Sequence, residues 1–245
     1  MKSVLLAVLA LLVPASSLSA EVCVKHHTHT DAYYYGGTNN PEVNRDFEFW
    51  FGEGKMAMVQ EQVKMIFDVS GNTFTFIHLT DSIYLQTTLP PQWENIIVEE
   101  EVGRIQMYQY TGEIKELGEE KELDGHKCAG FMTTTWIPYE DIKYNETDEL
   151  TWYTEDIPVD LDIYKKVYPC LLKLRNYNAE FIETLGGGNG YPMMSEEKRY
   201  QKGIEIKTVT TIEDISEKDA PEGFWSAPEG YTKKDRITIS ELQGN

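Results

Sequence analysis

Between Asp46 and Phe51 the chain reads D-F-E-F-W-F, with Phe47, Phe49 and Phe51 on one parity and Glu48 on the other. That is the period-two pattern of a half-buried strand. Gly52-Glu53-Gly54 makes a turn and Lys55 to Val59 resumes the pattern, so the pair reads as a hairpin. Val63 to Val69 follows, then Ser70-Gly71-Asn72, then Thr73 to Leu79, β-branched or aromatic almost throughout. Ser82 to Thr88 adds a strand that Pro90-Pro91 stops. Further strands are expected over Arg104 to Tyr110, Cys128 to Pro138 and Glu149 to Glu155. The acidic runs Glu94 to Glu101 and Glu113 to Asp124 read as solvated loops or strand edges.

From Ile157 to Gly188 the period changes. Leu171, Leu174, Phe181, Ile182 and Leu185 recur at helical spacing, with Asn178 in the turn between them. Pro169 is expected to divide a short helix over Val159 to Val167 from this second one, and Gly186-Gly187-Gly188 to end it. The strand pattern returns over Gly203 to Ile215, where Ile204, Ile206, Thr208, Thr210 and Ile212 share a face. The segment Ala220 to Tyr231 reads as a loop that offers Phe224 and Trp225 for docking. Many antiparallel strands with one late helical insertion predict a β-rich α+β domain over residues 21–245, without an internal linker.

The first residues change the picture. Lys2, the apolar run Val4 to Val13, Pro14 and the small-residue exit Ser16 to Ala20 have the three-part form of a secretory signal peptide over residues 1–20. The apolar run is too short for a membrane span, which needs about 20 residues. Glu21-Val22 precede Cys23, so the lipobox that would direct lipid attachment is absent, and a periplasmic or secreted location is expected. The net charge of −19 disfavours nucleic acid and anionic membrane as partners, since both are bound through Lys and Arg. Cys23, Cys128 and Cys170 are spaced unlike any zinc motif, and read either as small buried residues or as one disulfide with a leftover thiol.

Candidate chemistry is thin. In the stretch KHHTHTDAYYY, His27 and His29 share a strand face and His26 points the other way. Two such imidazoles can hold a metal, but zinc sites take three or four protein ligands and no spacing identifies the others. The preferred reading is an edge strand carrying His and Thr, with Tyr33 to Tyr35 passing into a Gly36-Gly37 turn. No metal ligand, cofactor or catalytic residue is assigned. G-x-S-x-G, H-E-x-x-H and phosphate-loop patterns are missing, and the Gly186 to Gly190 run follows a helix where a phosphate loop would precede one.

Three segments in order carry a resemblance. They are Trp50 with Lys55-Met56, Ile66-Phe67-Asp68 and Ser82-Ile83-Tyr84; then Leu123-Asp124-Gly125-His126-Lys127-Cys128; then Leu150 to Pro158 (LTWYTEDIP). A helix, a Gly-Tyr-Pro turn, a strand and a final FWSAPEGY follow. The chain resembles a family of exported bacterial proteins, a domain of unknown function, whose fold is similar to the lipoprotein carriers LolA and LolB. The resemblance implies a curved antiparallel half-barrel with helices across its concave face, and brings no catalytic residues with it. An aromatic inner face under a helical lid would form an apolar pocket. Phe49, Phe51, Met56, Met58, Phe74, Phe76 and Trp152 are the candidate lining residues, with core packing as the competing role. The leading expectation is a non-enzymatic protein binding a lipid or other hydrophobic ligand. The rivals are a filled envelope interaction module with a protein partner and, third, a metal-binding protein using His27 and His29.

Overall fold

The computed structural model describes residues 21–186, 188–201 and 203–243, so the expected signal peptide and Gly187 lie outside the described residues. The strand β1 (Val22–Thr30) leads into a small hairpin, β2 (Tyr33–Tyr35) and β3 (Thr38–Asn40). Gly36 and Gly37 turn it with φ of 60° and 86°, which glycine adopts at no steric cost. A meander follows: β4 (Val43–Gly52), β5 (Lys55–Val59), β6 (Val63–Asp68), β7 (Thr73–His78) and β8 (Ile83–Thr88). Two short helices, α1 (Trp93–Ile96) and α2 (Glu99–Met107), lead to the long strands β9 (Thr111–Leu123), β10 (His126–Tyr139) and β11 (Ile142–Thr154). Then come α3 (Leu161–Leu174), α4 (Ala179–Leu185), β12 (Tyr191–Gln201), β13 (Ile204–Glu217), β14 (Thr232–Lys233) and α5 (Ile239–Gln243).

The main sheet is 12-stranded, curved and unclosed, in the order β14-β8-β7-β6-β5-β4-β1-β13-β12-β11-β10-β9. Among the described strands, β14 alone pairs in parallel, along β8. The histidine strand β1 is the seam between the two halves, paired with β4 on one side and β13 on the other. It is therefore central, where an edge was expected. Its partners lie far along the chain, and local alternation cannot reveal them.

The two faces of the sheet are covered differently. On the first, the helix side, Val24, Phe49, Phe51, Met56, Phe67, Phe74, Phe76 and Leu85 join one buried cluster with residues of α1, α2 and α3. On the second, the tail side, Cys23, Trp50, Ala57, Ile66 and Ile77 pack against Phe224, Trp225 and Tyr231 of the C-terminal segment, the docking that the tail's aromatics predict. Trp225 donates its indole N–H to Glu21 Oε1 at 2.6 Å, and Lys64 lies over the Phe224 ring at 3.7 Å.

Several elements depart from expectation. Glu99 to Met107 is helical, and so overrides the strand expected over Arg104 to Tyr110. The three glutamates at its start suit the positive end of a helix dipole, and Ile105 is its only buried residue. The acidic run Glu113 to Asp124 falls on the edge strand β9, one of its two expected readings. The strand β12, unforeseen in sequence, lies between β11 and β13. The helix α3 continues through Pro169. The proline takes away the donor for the Lys165 carbonyl, and Lys165 is half-exposed, so water can serve it. The helix ends instead at Asn176, whose φ of 66° is left-handed. The caps follow the sequence: Ile163 N–H donates to Asp160 at 3.0 Å and Phe181 N–H to Asn178 at 2.8 Å. The three cysteines are free and buried. Among the described residues, no helix is long and apolar enough to cross a membrane.

Candidate functional site

Six of the seven expected lining residues lie together on the helix side. Met56, Phe74 and Phe76 have no exposed surface, Phe49 and Phe51 are buried, and Met58 is half-buried. Trp93 and Ile96 of α1, Ile105 of α2 and Ile163, Tyr164 and Val167 of α3 belong to the same cluster, so this part of the face is packed against other side chains. Trp152 joins that buried cluster from the other face. Its register runs through Met194 and Thr211 to His27, which is on the tail side. Its ring lies over Gly130, where a Cβ would meet it at 3.0 Å, and Lys121 sits 5.5 Å from its centroid.

The helix side changes character beyond β1. Strand register there aligns Phe131, Thr151, Ser195, Thr210 and Thr28 in one cross-strand row, and Thr133, Glu149, Glu197, Thr208 and Thr30 in the next. A third row holds Thr135, Thr147, Arg199 and Ile206. The hydroxyls of Thr28 and Thr210, and of Thr30 and Thr208, bond at 3.0 Å. This is a hydroxyl-lined wall with two glutamates directly opposite each other at its middle.

Opposite that wall stands the end of α3. Tyr153 and Tyr168 neighbour each other there, as do Tyr177 and Thr135. Arg175, at the helix C-cap, remains exposed to solvent. Burial alone would lower its pKa, but Tyr177, Glu149, Tyr168 and Glu197 together hold it above the usual value. Glu197 is pushed up from the ordinary carboxylate range by burial and then by Glu149, with Arg199 and Arg175 opposing. Among the described residues the side chains of Glu149, Glu197, Arg175 and Arg199 make no ion pair or hydrogen bond. Tyr164, 2% exposed, interacts with Tyr168, Arg175 and Glu149. Burial raises its pKa well above the ordinary tyrosine value.

At one end of the wall a cleft of about 550 Å³ is lined by Phe131 and Tyr153, by the acidic Glu155 and Asp156 and by the Lys127–Glu120 ion pair, among others. The Phe131 and Tyr153 rings meet edge-on at 5.6 Å. Toward β4, His26 stacks on Phe47 at 4.7 Å and bonds Tyr191 at 2.9 Å. Burial lowers the His26 pKa to about 4, so its ring is neutral at physiological pH.

The other histidines lie on the tail side. His27 Nδ1 is 2.7 Å from Asp46 and 3.7 Å from Glu213, and Asn44 Oδ1 lies 3.2 Å from His27 Nε2 and 2.9 Å from His29 Nδ1. His27, Asp46 and Glu213 offer ligand atoms within 4.8 Å of one another. Lys25 reaches the same carboxylates at 3.1 and 2.8 Å, so the cluster is balanced by its own cation. Hydrogen bonding to Asp46 raises the His27 pKa, and the bond to Asn44 raises that of His29.

Missed in sequence were Glu149, Glu197, Arg175, Arg199 and Tyr164. The available signal was polarity on both parities of Ser195 to Tyr200, which is unusual for a strand deep inside a sheet.

No protein-family model matches the chain, and no curated protein matches it in sequence. Solved structures do match. Two crystal forms of PNGF-II align at a TM-score of 0.42, with 8% and 10% identity over 91% and 89% of this chain. The chain spans about a third, 32%, of their length. A DUF1329 family protein from Desulfovibrio piger aligns at a TM-score of 0.31 and 10% identity, covering 86% of this chain and 91% of its own. A putative outer membrane lipoprotein-sorting protein domain from Vibrio parahaemolyticus aligns at 0.22 and 7%, covering 84% and 89%. A DUF family protein and a lipoprotein-sorting domain, the two kinds of protein that the sequence resembles, are thus both among the matches. At such TM-scores the likeness carries no functional argument, so function has to be read from the side chains.

Proposed function

We propose that the chain is an exported, non-catalytic binding protein of LolA-like half-barrel form. Its helix side is the concave face, and a lipid or other amphipathic ligand lies in the trough between the end of α3 and strands β10 to β13. One observation carries this reading. Glu149 and Glu197 face each other across the β11–β12 ladder there with no ion pair among the described residues, next to a cleft of about 550 Å³ that Phe131 and Tyr153 help to line. A groove that combines apolar lining with a few convergent polar groups is the usual form of a small-molecule site. The apolar residues beyond β1 serve as the wall that holds the trough open. The test is gentle purification of the periplasmically expressed chain, organic extraction and mass spectrometry. About one lipid per chain is expected for a single site; lipid-free protein whose melting temperature no amphiphile shifts would contradict the reading.

A second reading has its own observation. Tyr139, Ile142 and Tyr144 on the β10–β11 hairpin and Tyr200 at the end of β12 are exposed, and Tyr34 is exposed on β2. Such exposed aromatics suit a protein partner in the cell envelope. A stable co-purifying protein, lost when these tyrosines are changed to serine, would favour it.

A further inference from the structure

Two aromatic rings and an excess of carboxylate share the cleft of about 550 Å³. Phe131 and Tyr153 meet edge-on in it at 5.6 Å. Its charged lining is Glu120, Glu155 and Asp156 against Lys127. Lys127 is committed to Glu120 at 2.7 Å, which cancels both charges and leaves the cleft negative. Glu155 reaches outside the lining to Lys165 at 3.3 Å, and the Asp156 carboxylate makes no ion pair among the described residues.

The segment that carries these carboxylates is tied down. The Thr154 hydroxyl, on a residue 2% exposed, accepts from the Asp156 N–H at 3.1 Å and donates to the Lys127 carbonyl at 3.0 Å. His126 Nδ1 holds the Asp156 carbonyl. Gly190 lies so close to the same strand end that a Cβ would meet the Thr154 carbonyl oxygen at 2.5 Å, which fixes the turn bearing Gly188 and Asn189. Walls held in this way present their charges without reordering on binding. Carboxylates alone would suit any cation. Beside aromatic rings they favour one with an alkyl body, because ring faces attract positive charge and the apolar surface gains nothing from a hydrated metal ion.

We propose that this cleft binds an organic ammonium ion, its charge set against Asp156 and Glu155 and its alkyl groups against Phe131 and Tyr153. The proposal rests on the reading that the trough takes an amphiphile, and names the charge on the head group.

Calorimetry with four monomeric probes tests it: hexyltrimethylammonium, hexanesulfonate, tetramethylammonium and octyl glucoside. Hexyltrimethylammonium is expected to bind about tenfold tighter than hexanesulfonate. Changing Glu155→Gln with Asp156→Asn removes that preference, with the circular dichroism spectrum reporting an intact fold. Phe131→Leu keeps the bulk and loses the ring face, and weakens the cation about threefold relative to the anion. Equal binding of the two hexyl ions by the unaltered protein, or a preference that survives the double change, overturns the ammonium assignment while the trough reading stands. Tetramethylammonium, the same charge without a chain, is expected at least about tenfold weaker than the hexyl compound. Equal binding of those two would assign the cleft to a free cation and overturn the amphiphile reading on which the head-group assignment rests. If neither hexyl ion nor octyl glucoside binds, the trough reading falls as well.

Discussion

Glu149 and Glu197 face each other across the β11–β12 ladder, on the side of the sheet where the end of α3 stands. Among the described residues neither is paired, and the burial that raises the Glu197 pKa is a cost the fold carries at neutral pH. A pKa raised on folding means stability present at low pH and lost as pH rises through the folded value. Removing the charge must then stabilise the protein above that value. Glu197→Gln is expected to raise the melting temperature at pH 7 by about 2–4 °C, the effect of about 1 kcal/mol in a chain of this size. The gain vanishes in acid, where Glu197 is already protonated. Scanning calorimetry at both pH values checks it, and a loss of stability at pH 7 would count against the unpaired geometry.

His26 and His27 are sequence neighbours with opposite linkage. Burial depresses His26 from 6.5 to about 4, so the native ring refuses a proton that the unfolded chain accepts. Its contribution is full above pH 6.5 and falls as the pH drops toward 4, by about 3 kcal/mol. His26→Gln, which can still bond Tyr191, should flatten the acid limb of a stability profile measured by urea denaturation.

The half-buried His27 titrates the other way. Its bond to Asp46 raises its pKa above 6.5, so its contribution is full below 6.5 and is lost as pH rises through the folded value. Proton NMR titration is expected to place the His27 and His29 rings above the ordinary histidine value and His26 well below it. Uniform titration would contradict the assigned environments.

Phe74 is packed with no exposed surface on the filled part of the helix side, 5.2 Å from the Phe67 ring. Phe74→Ala is expected to cost about 3–5 kcal/mol, as for other buried phenylalanines. A cost below about 1 kcal/mol would mean that the residue lines open space.

Glu21 holds the C-terminal segment through the Trp225 indole at 2.6 Å and the Ala220 N–H at 2.5 Å. A double-mutant cycle with Glu21→Gln and Trp225→Phe should give a coupling of about 1–2 kcal/mol, typical of a hydrogen bond to a charged group. Additive effects would show that the tail docks by its apolar contacts alone.

The meander β4 to β8 was legible because one of its faces is apolar and the period of two shows plainly at Phe47-Glu48-Phe49. The shared face of Ile206, Thr208 and Thr210 was legible for the same reason. The trough was not. Its wall is made of Thr, Ser, Glu and Arg, which on a single strand look like a solvated surface. Only the long-range placement of β12 between β11 and β13 turns them inward. Aromatic and methionine residues drew attention to the apolar half, where side chains from α1, α2 and α3 fill the space. Trp152 misled for a narrower reason: a register shift at Trp152/Tyr153 sits beside it, and parity across that shift is not readable from sequence.

The most direct test of the trough is photo-crosslinking in living cells, with benzoylphenylalanine in place of Tyr168 on the trough side and, separately, in place of His29 on the tail side. A ligand seated in the trough predicts a lipid-mass adduct at position 168 and none at 29. No adduct at 168, or equal adducts at both, would contradict it.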